Sequence, residues 1–202
     1  WGIDADAPAP APIRRDRARH PVVLFLGRVT WQKGPETFLE VASRVARFVP
    51  EARFVMVGTG DLLPAVIRRT AELGLAGRMR FAGGLHGEDV ARAYRMADVC
   101  VMPSVSEPFG LVALESLRHG TPCIVPRTSG VAEVLTHAFK ADFWDADGMA
   151  NQVVALLRHP ALHAELRENG AAELATPRFG LDEPARRTAR SYRTALTVTG
   201  AP

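Results

Sequence analysis

The sequence predicts an α/β fold, an open and mostly parallel sheet of six strands with helices on both faces. Short apolar runs alternate about six times with longer segments that have helical periodicity. Strands connected through helices in this way run parallel and stack helices on both sides of the sheet. The first of these runs, PVVLFLG at 21–27, is continuously apolar rather than alternating, which is typical of a strand covered on both faces.

Each element follows from its local pattern. The first strand is predicted at 21–27, PVVLFLG, because this apolar run is unbroken and ends in glycine. The helix predicted at 35–49 repeats its apolar residues at the spacing of one helical face. By the same reasoning, strands are predicted at 52–58, 79–83, 98–104 and 121–127, a weak strand at 140–145, and helices at 62–74, 87–97, 110–120, 130–135, 148–159, 160–170 and 183–196.

The composition excludes several classes of protein. Apolar residues make up 47% and charged residues 23%, as in an ordinary packed domain, and the net charge is only +3. The arginine clusters lie at 14–19 and 185–190, without the dense basic face and interleaved aromatics of a nucleic-acid binder, so no nucleic-acid partner is expected. No run reaches about 18 apolar residues and no signal peptide opens the chain, so membrane association is not indicated and a cytoplasmic location is expected.

The two cysteines and the chain ends suggest further expectations. Cys100 and Cys123 each lie in a predicted strand, where buried small side chains in a reducing cytosol are the simplest interpretation. Residues 1–20 alternate proline with alanine and then become basic, which predicts a linker. The division expected is a linker at 1–20, a ligand-binding domain at 21–175 and a helical extension at 176–202. Because the chain begins at Trp1, it is expected to be a piece of a longer protein.

The loop after the first strand, GRVTWQKG at 27–34, is the first candidate site. Gly27 permits a close backbone approach, and Arg28 and Lys33 are two cations ahead of a helix that opens at Gly34-Pro35. Two cations beside the N–H groups of a helix N-terminus suit a diphosphate. Surface charge on a loop is the alternative.

The loop after the second strand, VGTGD at 57–61, contains Gly58 and Gly60. It lacks the third glycine of a dinucleotide-binding fingerprint and the acidic residue that would follow the next strand. Tight-turn glycines that shape a pocket wall are therefore expected here.

Two glutamates eight positions apart mark the third loop, PSVSEPFGLVALESLRHGTP at 103–122. Glu107 precedes the predicted helix and Glu115 lies in it, so eight residues at helical rise separate them by about 12 Å. That is too far to share one metal or proton, but it matches the reach from the sugar to the ribose of a nucleotide-sugar. The alternatives are an acid favoured by the helix dipole at Glu107 and an exposed helical acid at Glu115.

Together these motifs resemble a known family. GRVTWQKG, VGTGD, RFAG, PSVSEPFGLVALESLRHGTPCIVPRTSGVAEV and the opening WGID are similar to the carboxy-terminal, donor-binding domain of the retaining family 4 glycosyltransferases, and also to bacterial glycogen synthases. The resemblance covers residues 1 to about 175. It implies a Rossmann-like domain that forms one half of a GT-B fold, with the acceptor-binding half absent from this chain.

The resemblance also implies roles for individual residues. Arg28 and Lys33 would bind the donor diphosphate and stabilise the departing nucleotide. Glu107 would bind hydroxyls of the transferred sugar, and Glu115 those of the ribose. The remaining donor-binding positions would be Gly27, Gly58 and Gly60, and the backbone N–H groups of Phe109, Gly110 and Leu111.

The function expected is transfer of a sugar from a UDP-, ADP- or GDP-sugar to an acceptor hydroxyl with retention of configuration. The isolated chain should bind donor but transfer almost nothing. Two alternatives remain open, a non-catalytic nucleotide-binding module and half of a sugar-nucleotide epimerase. No cofactor or metal is expected, because the D-x-D at 145–147 fits a helix N-cap better than a metal site.

Overall fold

The computed structural model describes residues 20–180 and 182–199 of the chain. The predicted linker at 1–20 therefore lies, except for His20, outside the described residues. Within the described part no helix combines the length and the apolarity that crossing a bilayer requires.

The core of the molecule is one six-stranded sheet in which every neighbouring pair is parallel. Its strands are β1 (Val22–Leu26), β2 (Arg53–Val57), β3 (Met79–Gly83), β4 (Val99–Val101), β5 (Cys123–Pro126) and β6 (Phe139–Ala141), in the order β3-β2-β1-β4-β5-β6. This confirms the predicted α/β, Rossmann-like sheet. It also puts β1 and β4, whose paired residues Val23 and Val99 are 76 positions apart in the chain, side by side at the centre.

Eight helices connect and cover the strands in the described ranges. They are α1 (Pro35–Phe48), α2 (Leu63–Glu72), α3 (Glu88–Met96), α4 (Leu111–Arg118), α5 (Gly130–Val134), α6 (Ala146–Arg158), α7 (Pro160–Leu174) and α8 (Asp182–Thr199). Buried side chains of α1, α2 and α6 pack on one face of the sheet, and those of α3, α4 and α5 pack on the other. Strand β1 serves both faces, with Phe25 in one cluster and Leu24 in the other, as a strand buried on both sides must.

Helix α7 is longer than predicted. The sequence predicts an end at Gly170, but the helix continues to Leu174. Gly170 is buried where the helix lies against α4, and a Cβ there would come within 2.8 Å of the Leu117 side chain. The glycine therefore leaves room for the Leu117 side chain and does not end the helix.

The predicted N-cap of α6 is confirmed. Asp145 precedes the helix, and its carboxylate accepts a hydrogen bond of 2.8 Å from the backbone N–H of Gly148. The weak strand predicted at 140–145 is displaced, since β6 ends at Ala141 and the chain then turns into this cap. The two cysteines are buried in strands, as predicted, and the structure places them in register on β4 and β5.

Candidate functional site

The candidate site lies at the point where the strand order reverses. The chain moves outward from β1 to β2 and β3, then returns to place β4 on the other side of β1. The helices that follow the two central strands, α1 and α4, lie on opposite faces of the sheet, and this divergence opens a crevice at the carboxyl ends of the strands. These are the loops that carry Lys33, after β1, and Glu107, after β4.

Backbone contacts join the two loops. The N–H of Val105 donates a hydrogen bond of 2.9 Å to the carbonyl of Gln32. Gly34, which begins helix α1, has a φ of 65°, and a Cβ at this position would lie 2.1 Å from the Pro103 carbonyl oxygen. Only glycine allows the start of α1 to approach the β4 loop this closely.

The glycines of the loop after β2 pack against the backbone of the loop after β1. A Cβ on Gly58 would lie 1.8 Å from the carbonyl oxygen of Gly27, and one on Gly60 would lie 2.3 Å from that of Val29. The N–H of Val29 donates to the Thr59 carbonyl at 2.8 Å. These glycines therefore hold the β1 loop in place by direct backbone packing.

Lys33 and Glu107 meet in the crevice. The ammonium of Lys33 lies 2.5 Å from the carboxylate of Glu107, and their side chains are only 23% and 11% exposed. Leu26, Met102 and Val112 line the same narrow cleft. Because both side chains are largely shielded from solvent, the ammonium can bind an incoming anion strongly and the carboxylate can accept a hydrogen bond from an incoming hydroxyl.

Arg28 occupies the rim of the site. Its side chain is exposed, and its guanidinium donates one long hydrogen bond of 3.5 Å to Gln32 in the same loop. The structure therefore brings Lys33 to Glu107 and leaves Arg28 at the surface of the loop. The convergence of both cations on one diphosphate stays a prediction.

Helix α4 begins at the same crevice. Gly110 is its N-cap, and Leu111, its first residue, is 38% exposed. The first N–H groups of a helix have no acceptor within it and can bind an anion. The carbonyl of Phe109 accepts a hydrogen bond of 2.7 Å from Val131 at the start of α5, which anchors the segment ahead of the helix.

Glu115 is held by a residue that the sequence did not suggest. The phenol of Tyr94, on α3, donates a hydrogen bond of 2.9 Å to Oε2 of Glu115. Tyr94 is completely buried, and burial raises its pKa, so the phenol stays protonated as a donor. The sequence pattern of α3 does not distinguish Tyr94 from an ordinary core residue. Only its contact with Glu115 in the structure reveals its role.

His119 covers the other side of Tyr94. Its ring stacks on the tyrosine with centroids 5.6 Å apart and an interplanar angle of 13°. Its Nδ1 is buried and has no hydrogen-bond partner among the described residues. Burial, with smaller contributions from Arg95 and Arg118, lowers the pKa of His119, so the ring favours its neutral form.

Comparison with known proteins identifies the family. The model for "Glycosyl transferases group 1" matches residues 12–173. The glycogen synthase of Mycobacterium tuberculosis is 30% identical, over 95% of this chain and 46% of its own length. This chain thus spans less than half the length of that relative.

Solved structures agree on the fold. The sucrose-phosphate synthase of Thermosynechococcus elongatus superposes with a TM-score of 0.82 at 27% identity, over 98% of this chain and 52% of that one. The HepE protein of Anabaena, solved with UDP and glucose, superposes with a TM-score of 0.78 at 19% identity, over 87% of this chain and 49% of that one. This chain belongs to the group 1 glycosyltransferases and has the Rossmann-like fold of a GT-B domain.

Proposed function

We propose that this chain is the nucleotide-sugar-binding half of a retaining glycosyltransferase. The observation that carries the proposal is the Lys33–Glu107 pair in the crevice at the reversal of strand order, beside the start of α4. The family match supports sugar transfer, and the UDP in the Anabaena structure supports a nucleoside diphosphate as part of the ligand.

The ligand lies along the start of α4. Its diphosphate takes the ammonium of Lys33 and the first N–H groups of the helix, and the exposed guanidinium of Arg28 turns inward to it. Hydroxyls of the transferred sugar donate hydrogen bonds to Glu107, and the ribose hydroxyls donate hydrogen bonds to Glu115. Binding therefore replaces the Lys33–Glu107 contact with two contacts to the donor.

In the reaction, the acceptor hydroxyl attacks the anomeric carbon from the face that the diphosphate leaves. The bond from the anomeric carbon to the phosphate oxygen breaks as the bond to the acceptor oxygen forms, and the departing phosphate takes the acceptor proton. Positive groups help most where this negative charge develops, so Lys33 and Arg28 contribute most to the rate. The acceptor is expected to bind outside this donor site.

Titration calorimetry of Lys33→Ala tests the proposal. The variant should bind a nucleoside diphosphate about ten- to hundredfold more weakly, since a hydrogen bond to a charged group is lost, and bind the free nucleoside unchanged. Lys140→Ala is the matched control, because it removes the same charge from edge strand β6. Equal losses for nucleoside and diphosphate would remove the diphosphate role of Lys33.

A second candidate is a nucleotide-binding module that takes no part in transfer. It is favoured by the site itself, in which Lys33 and Glu107 are assigned to the donor and no described residue is assigned to an acceptor. Transfer assays on the parent protein with Glu107→Gln separate the two, because only an enzyme loses turnover. The predicted reducing, cytosolic setting fits the two unbonded cysteines and stays a prediction.

A further inference from the structure

Tyr94 is built to present its hydroxyl in one place. The side chain is completely buried under the sheet, His119 stacks on its ring, and the Tyr94 carbonyl accepts a hydrogen bond of 2.6 Å from Thr121. His119 therefore holds the ring of Tyr94, and Thr121 holds its backbone. A phenol fixed in this way donates along a single direction.

The acceptor of that hydrogen bond is a partly exposed carboxylate. Glu115 lies on α4 with its side chain only half-buried, so by itself it would sample several rotamers. A carboxylate has about four acceptor positions, and the Tyr94 hydrogen occupies one of them, on Oε2. The others stay available to a pair of neighbouring hydroxyls, while the carboxylate is no longer free to turn.

We propose that Tyr94 is the positioning residue of the ribose subsite: its phenol holds the Glu115 carboxylate in the orientation that accepts the ribose hydroxyls. This inference rests on the proposed function, which assigns the ribose to Glu115. Fixing a ligand-binding side chain in advance removes the ordering penalty that binding would otherwise include. Tyr94 therefore sets the affinity for the ribose without touching the ligand.

Tyr94→Phe tests this, because it removes the hydroxyl and leaves the buried ring and its stacking on His119 in place. The variant should bind UDP, ADP or GDP about three- to tenfold more weakly, the effect of one unfixed side chain, and bind inorganic pyrophosphate as the unaltered chain does. Tyr192→Phe is the matched control, since Tyr192 is 68% exposed on α8. Loss of pyrophosphate binding to the same extent would mean a structural role and overturn the inference.

A ratio measured within each folded sample gives a second readout. The unaltered chain should prefer a ribonucleoside diphosphate over its 2′,3′-dideoxy form, and Tyr94→Phe should narrow that preference. Because both ligands are titrated into the same sample, a change in the folded fraction does not alter the ratio. An unchanged ratio in Tyr94→Phe overturns the inference.

Glu115→Gln separates this inference from the proposed function. If Tyr94 acts through Glu115, Tyr94→Phe should have no further effect in the Glu115→Gln background. Equal effects of Tyr94→Phe in both backgrounds overturn the inference and leave the ribose assignment intact. If Glu115→Gln alone leaves the affinity for every nucleoside diphosphate unchanged, the ribose assignment of the proposed function fails, and the inference fails with it.

Discussion

At the scale of single residues, the site is organised by two acid–donor pairs. Lys33 contacts Glu107, and Tyr94 contacts Glu115, with partners 74 and 21 positions apart in the chain. Each glutamate is therefore occupied before a ligand arrives. Under the proposed function, the Lys33–Glu107 pair separates when the donor binds, whereas the Tyr94–Glu115 pair persists.

Replacement of Glu107 should move two affinities in opposite directions. Glu107→Gln frees the Lys33 ammonium from its carboxylate, so inorganic pyrophosphate should bind about two- to fivefold more tightly, the scale of a partly exposed ion pair. The same variant loses a charged acceptor for sugar hydroxyls, so the gain in affinity from adding the sugar to the nucleoside diphosphate should shrink. Calorimetry with pyrophosphate, nucleoside diphosphate and nucleotide-sugar measures both effects.

Glu133→Gln is the control for that experiment, because Glu133 is an exposed glutamate on α5. It changes the net charge by the same amount and leaves the Lys33–Glu107 pair in place. A fall in pyrophosphate affinity in Glu107→Gln would show that the carboxylate supports the anion site rather than competing for it.

His119 should make stability depend on pH. Its pKa is lowered from an ordinary value of 6.5, mainly by burial, and the groups around it are Arg95, Arg118, Glu88 and Tyr94. The unfolded chain therefore takes up the proton first, so this stability is present above about pH 6.5 and is lost as the pH falls toward the lower folded pKa.

Melting temperatures at about pH 8 and about pH 5.5 check the sign. His119→Phe keeps a flat ring over Tyr94 and removes the titration, so the drop in melting temperature should be smaller than in the unaltered chain. His86→Phe, at an exposed histidine, is the control and should keep the full drop. A drop in His119→Phe as large as in the unaltered chain would assign the acid sensitivity to other groups.

At the scale of elements, the loops depend on glycines that admit neighbouring backbone. Gly58 has a φ of 137° and lies against Gly27 of the β1 loop, so the loops after β1 and β2 behave as one packed unit. Gly34 does the same between α1 and the β4 loop. The three loops around Lys33 are consequently held by close backbone contacts as well as by the Lys33–Glu107 pair.

Gly58→Ala should therefore destabilise the whole domain. The new methyl would meet the Gly27 carbonyl, and the φ disfavours any side chain, so the free energy of unfolding should fall by about 3 kcal/mol or more. Gly77→Ala is the control, because a Cβ at Gly77 meets no atom within 4 Å. Urea unfolding followed by circular dichroism compares the two, and equal stabilities would show that the β1 loop can move aside.

At the scale of the whole molecule, strand order decides where the site forms. The loops after β1 and after β4 both contribute residues to the candidate site, because the chain crosses back beside β1 when it enters β4. The candidate site residues Lys33 and Glu107 lie at the carboxyl ends of the strands. At the amino ends, a hydrogen bond of 2.7 Å from the Val22 N–H to the Asp98 carboxylate links the start of β1 to the start of β4. The chain spans less than half the length of its glycogen synthase relative.

Much of this architecture is readable in the sequence. Local apolar patterns are sufficient for β1, α1 and β3, since neighbouring residues alone set a strand or helix with a buried face. The motifs that carry Lys33, Glu107 and Glu115 also point to the carboxyl edge of the sheet before any coordinates are known. Their assigned roles in binding stay predictions until ligand is measured.

Other features were decided only by tertiary packing. Gly170 has the pattern of a helix end, yet it lies inside α7, where it faces the Leu117 side chain of α4. The contacts of Lys33 with Glu107 and of Tyr94 with Glu115 join residues far apart in the chain, and no spacing encodes them. The physical reason is range: periodicity reports how a residue interacts with its near neighbours, whereas a site forms between elements whose approach is set by the packing of the entire core.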